Sequence, residues 1–372
     1  MSKFLHVISF DIPFPANYGG AIDVFYKLKA LNDCGVRIIL HCFQYNRNRA
    51  SELELICERV YYYHRNTSFF ANLSLKPYTV YSRRNNLLIQ NLIADEYPIL
   101  FEGLMSCYYL NDKRLKDRVK IYREANIEHD YYRELARSTS SFLKKMYFLI
   151  ESYKFKIFEP KLKVANSIIA VSQTDARYLK ARFIEKNVQF IPCFHPNDEL
   201  ISLPGKSDFL LYHANLSVPE NEFAALYLCE KVFAKLKHNC IIAGLNPTKR
   251  LRNMISKFPN IQLEANPNAE KMHELVQQAQ VNVLVTFQAT GLKLKLLNAL
   301  FMGRHLLVNK FMLDGSGLDV LCTISDDELE QIQFCNRLME IPFKMSDVEL
   351  RNSILFPQFS NAEQAKKLCE LF

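Results

Sequence analysis

Residues Val281 to Asn309, VNVLVTFQATGLKLKLLNALFMGRHLLVN, are the stretch that decides the fold. They begin with VNVLVT, a run of apolar and β-branched residues typical of a buried strand, and they close with a second such run, HLLV. Between the two runs, a short loop containing Thr290 and Gly291 leads into a helical pattern in which leucines recur every fourth residue. A strand, a helix and a strand in this order predict one unit of a parallel α/β sheet.

The same alternation of strand and helix patterns runs through the whole chain and starts twice. The predicted strands are Leu5–Phe10, Val36–Phe43, Arg59–Tyr63, Pro98–Phe101, Val119–Tyr122 and Ser167–Ser172 in the first series, and Phe209–Ala214, Asn239–Gly244, Ile261–Glu264, Val281–Thr286 and His305–Val308 in the second. The second series follows Leu203-Pro204-Gly205, where proline and glycine oppose the continuation of an element. We therefore predict two doubly wound α/β domains facing each other across a cleft, residues 1–203 and 204–349.

Composition excludes several classes of protein. The 372 residues are 49% hydrophobic and 23% charged, with a formal net charge of +8, which excludes a disordered chain and a multi-span membrane protein. The ten cysteines are scattered without a C-x-x-C pair, so no zinc site and no disulfide framework is predicted. The N-terminus MSKFLHVISF lacks the apolar core of a signal peptide. These features predict a cytoplasmic protein.

The loop before the predicted helix has the properties of an anion-binding site. The first backbone N–H groups of a helix have no partner within it, and together with the helix dipole they attract phosphate. Lys293 or Lys295 would add a charge-assisted hydrogen bond to that phosphate. The alternative interpretation is an ordinary core helix whose lysines reach solvent along their aliphatic stems.

Four segments resemble those of family 4 retaining glycosyltransferases, which have the two-domain GT-B fold. Ala289–Gly303, ATGLKLKLLNALFMG, is similar to the donor-binding pattern G-x-G-[IL]-K-x-K-x-L-E-A-[ML]-x-x-G. Pro13–Gly20, PFPANYGG, resembles the P-x-x-x-G-G loop after the first strand. Arg123–Tyr132, REANIEHDYY, resembles an R-x-H-N-x-E segment of one branch, and His213–Asn221, HANLSVPEN, resembles its G-x-x-x-x-P-x-N segment. Order and spacing hold from about Phe4 to Val320.

The resemblance implies a role for each matched residue. It places the donor diphosphate or sugar against the helix start, and it places the Gly19-Gly20 loop near the phosphates and the acceptor. Asn126 and Glu128 would lie near the reacting sugar. The candidate site therefore consists of Asn126, Glu128 and His129 for catalysis, and of Gly19, Gly20, Asn215, Thr290, Gly291, Lys293, Lys295 and Asn298 for donor binding.

Two positions depart from the family pattern. Asn298 stands where the family has a glutamate, which typically bonds the ribose hydroxyls; an asparagine can form such a bond without charge assistance. Ala125 stands where one branch often has a histidine, and His129 lies four positions further along.

The function implied is the transfer of a sugar from a nucleotide-diphosphate donor, of the UDP or GDP type, to a glycan or lipid-linked glycan. The resemblance further implies retention of configuration and a role in surface polysaccharide biosynthesis. Because the leaving group is a diphosphate, catalysis depends on stabilising negative charge, which lysines and a helix N-terminus can do. The chain contains no Asp-x-Asp metal signature, so we predict an enzyme that needs no metal and no further cofactor.

Two other functions fit the same residues. A degenerate GT-B protein would bind a nucleotide sugar or a partner without turnover, as the changes at Asn298 and Ala125 would allow. An epimerase acting on a nucleotide sugar would share the fold, although the matched segments resemble the transferases.

The resemblance also bears on the C-terminus. Related proteins often return their last helix to the first domain, so we expect a helix within about residues 350–372 to cross back in this way. The alternative is a helix that caps the second domain.

Phe142–Lys163, FLKKMYFLIESYKFKIFEPKLK, is a long helical pattern with six lysines. One interpretation is a solvated basic face over a buried stripe. The other is contact with anionic lipid headgroups at the inner face of the membrane, extended by Lys76, Arg83 and Arg84. Nucleic-acid binding is not favoured, since the net charge is moderate and no nucleic-acid-binding module is visible.

Overall fold

The computed structural model describes residues 3–139, 141–287 and 293–372. They form two compact domains. The first contains the chain up to Pro196 together with Phe359–Phe372, and the second contains Asn197–Gln358.

The first domain is built on a seven-stranded parallel sheet in the order β3-β2-β1-β4-β5-β6-β7. Its strands are β1 (Phe4–Ile8), β2 (Arg37–Gln44), β3 (Arg59–His64), β4 (Ile99–Glu102), β5 (Lys120–Glu124), β6 (Ser167–Ala170) and β7 (Asn187–Phe190). Its first seven α-helices are α1 (Gly19–Asp33), α2 (Ser51–Glu54), α3 (Tyr78–Tyr81), α4 (Asn86–Leu92), α5 (Glu128–Ser138), α6 (Phe142–Phe158) and α7 (Gln173–Arg182). The strand order reverses at β1, whose Val7 pairs with Leu40 of β2 on one side and with Leu100 of β4 on the other. Ligands are therefore expected at the carboxyl ends of β1 and β4.

The second domain repeats this plan with a six-stranded parallel sheet in the order β10-β9-β8-β11-β12-β13. Its strands are β8 (Phe209–Asn215), β9 (Asn239–Leu245), β10 (Ile261–Ala265), β11 (Val281–Leu284), β12 (His305–Val308) and β13 (Thr323–Ile324). Its helices are α8 (Pro219–Tyr227), α9 (Lys249–Ile255), α10 (Ala269–Gln278), α11 (Leu294–Met302), α12 (Lys310–Leu313), α13 (Glu328–Glu340) and α14 (Met345–Phe359). The predicted class, two Rossmann-like parallel α/β domains, is confirmed.

Successive residues of the first-domain strands enter different apolar clusters, because neighbouring side chains of a strand point to opposite faces of the sheet. Ile8, Phe101 and Tyr122 belong to one cluster, and Val7, Leu100 and Ile121 belong to another. Both faces of the sheet are therefore buried, which explains why these strands are nearly continuous apolar runs in the sequence. Within the described residues, no helix combines the length and the apolar character needed to cross a membrane.

The boundary between the domains lies at Pro196, whereas proline and glycine at 203–205 had suggested residue 203. The segment before Leu203 is already part of the second domain, because the backbone N–H of Ile201 donates to the carbonyl of Phe301 at 2.8 Å. Gly205 forms a further backbone bridge within the same domain. The Pro-Gly signal thus marks the end of a connecting segment and not the end of a domain.

The chain returns to the first domain at Phe359, so only the last part of the segment 350–372 belongs there. Helix α15 (Asn361–Cys369) packs against α1, and Nζ of Lys3 donates to the carbonyl of Cys369 at 2.8 Å. Asn361 exchanges two hydrogen bonds with the backbone of His195, at 3.2 and 2.7 Å. The points at which the chain leaves and re-enters the first domain are therefore bonded to each other.

Candidate functional site

The second-domain part of the candidate site lies where helix α11 begins. Lys293 is the N-cap residue of α11, and Lys295 lies in its first turn. Thr290 and Gly291, predicted to hold the phosphates, are outside the described residues. The described part of the motif therefore contributes the two lysines and Asn298.

Lys295 is surrounded by groups of the same domain. Its Nζ donates to Oδ1 of Asn221 at 3.2 Å and lies 5.5 Å from the ring centre of Tyr212. Burial lowers the pKa of Lys295 to about 8; the carboxylate of Glu220 opposes this shift and Lys293 adds to it. Burial also lowers the pKa of Lys293, opposed by Glu220 and Asp314. Two partly buried ammonium groups thus interact with each other, and both interact with the carboxylate of Glu220. A bound anion would add negative charge that compensates the two lysines.

Glu220, which the sequence analysis missed, is held at the carboxyl edge of the sheet. It lies in the first turn of α8, and its carboxylate accepts a hydrogen bond from the hydroxyl of Thr286, just after β11. Thr286 is held in turn by Asn309, which follows β12: the Thr286 N–H donates to Oδ1 of Asn309 at 3.2 Å, and Nδ2 of Asn309 donates to the Thr286 carbonyl at 2.7 Å. The sequence already contained this residue as P-E-N at 219–221. The family pattern P-x-N covers only the proline and the asparagine, so it assigned no role to Glu220.

Asn215 forms hydrogen bonds that stabilise the loop leading to α8. It ends β8, and its Oδ1 accepts hydrogen bonds from the N–H and hydroxyl of Ser217 at 3.2 and 2.7 Å. Nδ2 of Asn221 donates to the Asn215 carbonyl at 3.0 Å. This turn fixes the start of α8, and thereby Glu220 and Asn221, beside Lys295. Asn215 is thus built into the scaffold of the lysine cluster.

Asn298 lies on α11, one turn beyond the lysines, and is half-buried. Nδ2 of Asn197 donates to Oδ1 of Asn298 at 2.8 Å. The atom expected to accept from a ribose hydroxyl is therefore already engaged by a residue of the same domain.

The first-domain part of the candidate site contains two buried carboxyl groups at the carboxyl end of β5. Glu124 ends this strand and Glu128 begins α5. Burial raises the pKa of Glu128 to about 7, opposed by Arg83; burial and the neighbouring Glu128 raise the pKa of Glu124 well above its usual value. The hydroxyl of Tyr122 donates to Oε2 of Glu124 at 2.6 Å. These carboxyl groups can hold protons near neutral pH.

Glu124 was not predicted from the sequence, because it follows the predicted strand Val119–Tyr122 and stands at a variable position of the R-x-H-N-x-E pattern. Asn126 lies half-buried in the turn between Glu124 and Glu128. The turn therefore keeps two of the predicted residues, Asn126 and Glu128, together with the additional carboxyl group.

His129 faces a different set of groups. Its Nδ1 lies 3.2 Å from Oε2 of Glu159, whose other oxygen accepts from the Tyr178 hydroxyl at 2.9 Å and from Nε of Arg182 at 2.8 Å. The carbonyl of His129 accepts a hydrogen bond of 2.6 Å from the Ser152 hydroxyl. These contacts join α5 to α6 and to Glu159, which follows α6. The position of His129 in the sequence did not indicate Glu159 as its partner.

Gly19 and Gly20 are the first two residues of α1, close to the end of β1. A Cβ atom on Gly20 would lie 2.7 Å from Cζ of Phe10, so any other residue would have to displace that ring. The carbonyl of Phe10 accepts from Nε of Arg83 at 2.9 Å. Arg83 is buried and interacts electrostatically with Glu128, so the glycine loop and the carboxyl groups belong to one region of the first domain.

The described residues contain no cluster of three or more His, Cys, Asp and Glu side chains arranged to hold a metal ion. In each domain the polar groups of the site instead gather where the parallel strands end, which is the ligand-binding edge of such sheets.

No protein family model matches the chain. An uncharacterized 44.6 kDa protein in the cps region of Klebsiella pneumoniae is 26% identical over 320 residues, 81% of each chain.

Solved structures match the chain end to end. TarM superposes with a TM-score of 0.70 at 11% identity, covering 100% of this chain and 99% of that one. A UDP-forming α,α-trehalose-phosphate synthase from Burkholderia xenovorans, in complex with glucose-6-phosphate, superposes with a TM-score of 0.62 at 11% identity, covering 99% of each chain. S. aureus TarM in complex with fondaparinux, α-GlcNAc-glycerol and UDP gives a TM-score of 0.63 at 11% identity, covering 100% of this chain and 99% of that one. These neighbours are glycosyltransferases, and the chain has their GT-B fold.

Proposed function

We propose that the protein is a glycosyltransferase that moves a sugar from a nucleotide diphosphate to a glycan or lipid-linked glycan, with retention of configuration and without a metal ion. The observation that carries this proposal is the lysine pair at the start of helix α11. Lys293 and Lys295 share the carboxylate of Glu220 at the carboxyl edge of the second sheet.

The lysine pair suits a diphosphate because both side chains are partly buried, which lowers the pKa of each. A charge pair is stronger in such surroundings than at an exposed surface. When the bond between the sugar and the diphosphate breaks, negative charge develops on the leaving phosphate oxygen. Ammonium groups already in place stabilise that charge without reorganisation, which lowers the barrier to transfer.

The first domain would supply the acceptor side. Glu128 interacts electrostatically with Arg83, which also bonds the carbonyl of Phe10 beside Gly20. The pKa of Glu128, raised to about 7, allows it to exchange a proton near neutral pH. We propose that Glu128 receives the proton of the acceptor hydroxyl as the new glycosidic bond forms. The diphosphate leaves with the electron pair of the bond that breaks.

The comparisons support the substrate classes. The Burkholderia synthase is named as UDP-forming, and S. aureus TarM is described with UDP and α-GlcNAc-glycerol. The Klebsiella relative in the cps region fits a role in surface polysaccharide synthesis. We therefore propose a donor of the UDP or GDP type and a surface glycan or its lipid-linked precursor as the acceptor.

The test is calorimetric binding of UDP, GDP and ADP, followed by hydrolysis assays with the matching nucleotide sugars. We expect one nucleotide to bind, the Lys293→Met/Lys295→Met variant to lose that binding, and the bound sugar to be hydrolysed slowly in the absence of an acceptor. Lys206→Met is the matched control, because Lys206 precedes β8 at the opposite edge of the same sheet and pairs with Glu340. Turnover that disappears with EDTA and returns with manganese would contradict the metal-free mechanism.

A second function, nucleotide-sugar binding without turnover, is favoured by one observation. Asn298 replaces the glutamate of the family pattern, and its side-chain oxygen already accepts from Asn197. Tight binding with neither hydrolysis nor transfer would support this second function in place of the first.

A further inference from the structure

Helix α6 exposes a long apolar face. Phe142, Leu143, Met146, Ile150, Tyr153 and Ile157 lie on it at helical spacing. Leu143 is 80% exposed, Tyr153 66% and Ile157 58%. Single exposed apolar residues are ordinary on a protein surface, whereas a continuous row over four turns marks a surface that contacts something else.

The charged groups that this segment presents to solvent are lysines. Phe142–Lys163 contains six lysines and two acidic residues. Both acidic residues are buried and bonded inside the domain: Glu151 accepts from the Tyr78 N–H at 2.6 Å, and Glu159 accepts from Tyr178 and Arg182. The solvent side of this segment is therefore apolar and cationic.

A second segment extends the face. Leu75 is 93% exposed and Leu73 is 70% exposed. They are held near α6 because Nζ of Lys154 donates to the carbonyl of Asn72 at 3.0 Å and Glu151 binds the N–H of Tyr78. We call this combined area the α6 surface: the six exposed residues of α6 with Leu73 and Leu75.

A cationic pocket adjoins the α6 surface. It is lined by Lys76, Arg84 and Lys161, among others. Nζ of Lys76 lies 3.8 Å from the ring centre of Tyr108, and its pKa is lowered by burial and by Lys161 and Arg84. Lys161 lies four residues beyond Ile157, and Lys76 directly follows Leu75, so the pocket joins the surface on both sides.

The acidic residue of the pocket, Asp112, is paired with Arg114 at 2.8 Å. The three other cations therefore face one another in a pocket that would accept a phosphate group.

We propose that the α6 surface docks onto an anionic lipid bilayer, with the apolar side chains at the headgroup boundary and a lipid phosphate in the pocket of Lys76, Arg84 and Lys161. An amphipathic helix with lysines beside its apolar face binds such bilayers in two ways: its apolar side chains are buried among the lipids, and its lysines are attracted to the anionic headgroups. A second copy of this chain is a poorer occupant, because it would bring the same positive charge against the surface. The proposal is independent of the transfer reaction, since it uses none of the residues assigned to it.

The test is sedimentation of the full chain with vesicles of phosphatidylcholine alone and with vesicles that also contain phosphatidylglycerol. We expect binding to the anionic vesicles to be at least about tenfold stronger and to weaken with salt. Tyr153→Asp/Ile157→Asp should reduce it about tenfold, because both side chains are exposed and the change leaves the core intact. Lys161→Glu should reduce it several-fold.

Two matched variants control for general effects. Ile184→Asp introduces an acid at another exposed apolar residue of the first domain, 84% exposed, and Lys180→Glu reverses an exposed lysine on α7. Both should bind as the wild type does. The proposal is overturned if the wild type ignores anionic vesicles, or if the control variants lose as much binding as their counterparts. It is also overturned if Tyr153→Asp/Ile157→Asp converts a dimer to a monomer while neither form binds vesicles, which would make a second copy the occupant.

Discussion

Nζ of Lys295 donates a hydrogen bond to Oδ1 of Asn221, a residue 74 positions earlier in the chain. This bond joins the first turn of α11 to the first turn of α8. It therefore brings together two of the segments in which the sequence resembles family 4 glycosyltransferases. The cluster that results, in which Glu220 interacts electrostatically with both lysines, can be tested by mutation.

Replacing Lys295 by methionine should weaken binding of the preferred nucleoside diphosphate about tenfold or more, because a hydrogen bond to a charged group contributes about 1.5–3 kcal/mol. Calorimetry at pH 7 measures the change. Lys206→Met should leave the affinity unchanged. An equal loss in both variants would mean that the overall charge, and not the cluster, attracts the nucleotide.

Nucleotide binding should depend on pH through Lys295, whose pKa is lowered to about 8 by burial. A diphosphate stabilises the charged lysine, so binding raises this pKa and takes up protons near pH 8. Affinity should therefore be constant below about pH 7 and fall above pH 8. Calorimetry in buffers of different ionisation enthalpy measures the proton uptake. An affinity independent of pH between 7 and 9 would contradict this prediction.

Compared with the wild type, Glu128→Gln should have a higher free energy of unfolding at alkaline pH than at acid pH. The folded protein holds the Glu128 proton up to about pH 7, whereas the unfolded chain releases it near the ordinary glutamate pKa of 4.5. The wild type therefore loses stability as pH rises through this window, and the uncharged variant avoids that loss, by about 1–3 kcal/mol. Urea unfolding at pH 5 and pH 8 compares the two proteins.

Glu134→Gln is the control, since it changes an exposed carboxyl group on the same helix, α5. If Glu134→Gln shows the same gain as Glu128→Gln, burial of Glu128 is not its cause. In the same Glu128→Gln variant, transfer should fall while nucleotide affinity stays unchanged.

Asn298→Glu should tighten nucleotide binding several-fold without changing the affinity for inorganic pyrophosphate. A carboxylate has enough lone pairs to accept from Asn197, as Asn298 does at 2.8 Å, and from a ribose hydroxyl with charge assistance. Competition experiments with the two ligands separate the ribose from the phosphates. A change in pyrophosphate affinity of the same size would place Asn298 at the phosphates instead.

Asn361→Ala should destabilise the protein by about 2 kcal/mol, because it leaves a buried N–H and a buried carbonyl of His195 without the partner they have now. The midpoint of urea unfolding measures the loss. Glu363→Ala, on the same helix and exposed, should cost little. Equal effects would show that helix α15 as a whole, and not this pair of bonds, matters.

Much of the fold could be predicted from the sequence because the strands are buried on both faces. The runs at Val36–Phe43 and Phe209–Ala214, for example, correspond to β2 and β8. Two strands escaped prediction: β7, NVQF, mixes polar and apolar residues at the edge of its sheet, and β13 has only two residues. Neither carries a hydrophobic pattern that could distinguish it from a loop.

The site was harder to predict than the fold, because side-chain partners are set by tertiary contacts. Glu124 stands at a variable position of the R-x-H-N-x-E pattern, and nothing in the sequence distinguishes it until the fold places it beside Glu128 and Tyr122. His129 stands next to Glu128 in the sequence, yet its ring faces Glu159, 30 residues later. Spacing along the chain indicated this turn as a candidate but could not indicate the direction of each side chain within it.

Because the chain leaves the first domain at Pro196 and returns at Phe359, the second domain is an insertion within the first. The bonds between His195 and Asn361 keep the two ends of that insertion side by side. A gene fragment for 197–358 would encode the inserted domain as one continuous piece, whereas the host domain would need its two pieces joined by a short peptide linker across this junction. A stop codon placed just after the insertion would remove α15 from the host and leave α1 without its cover.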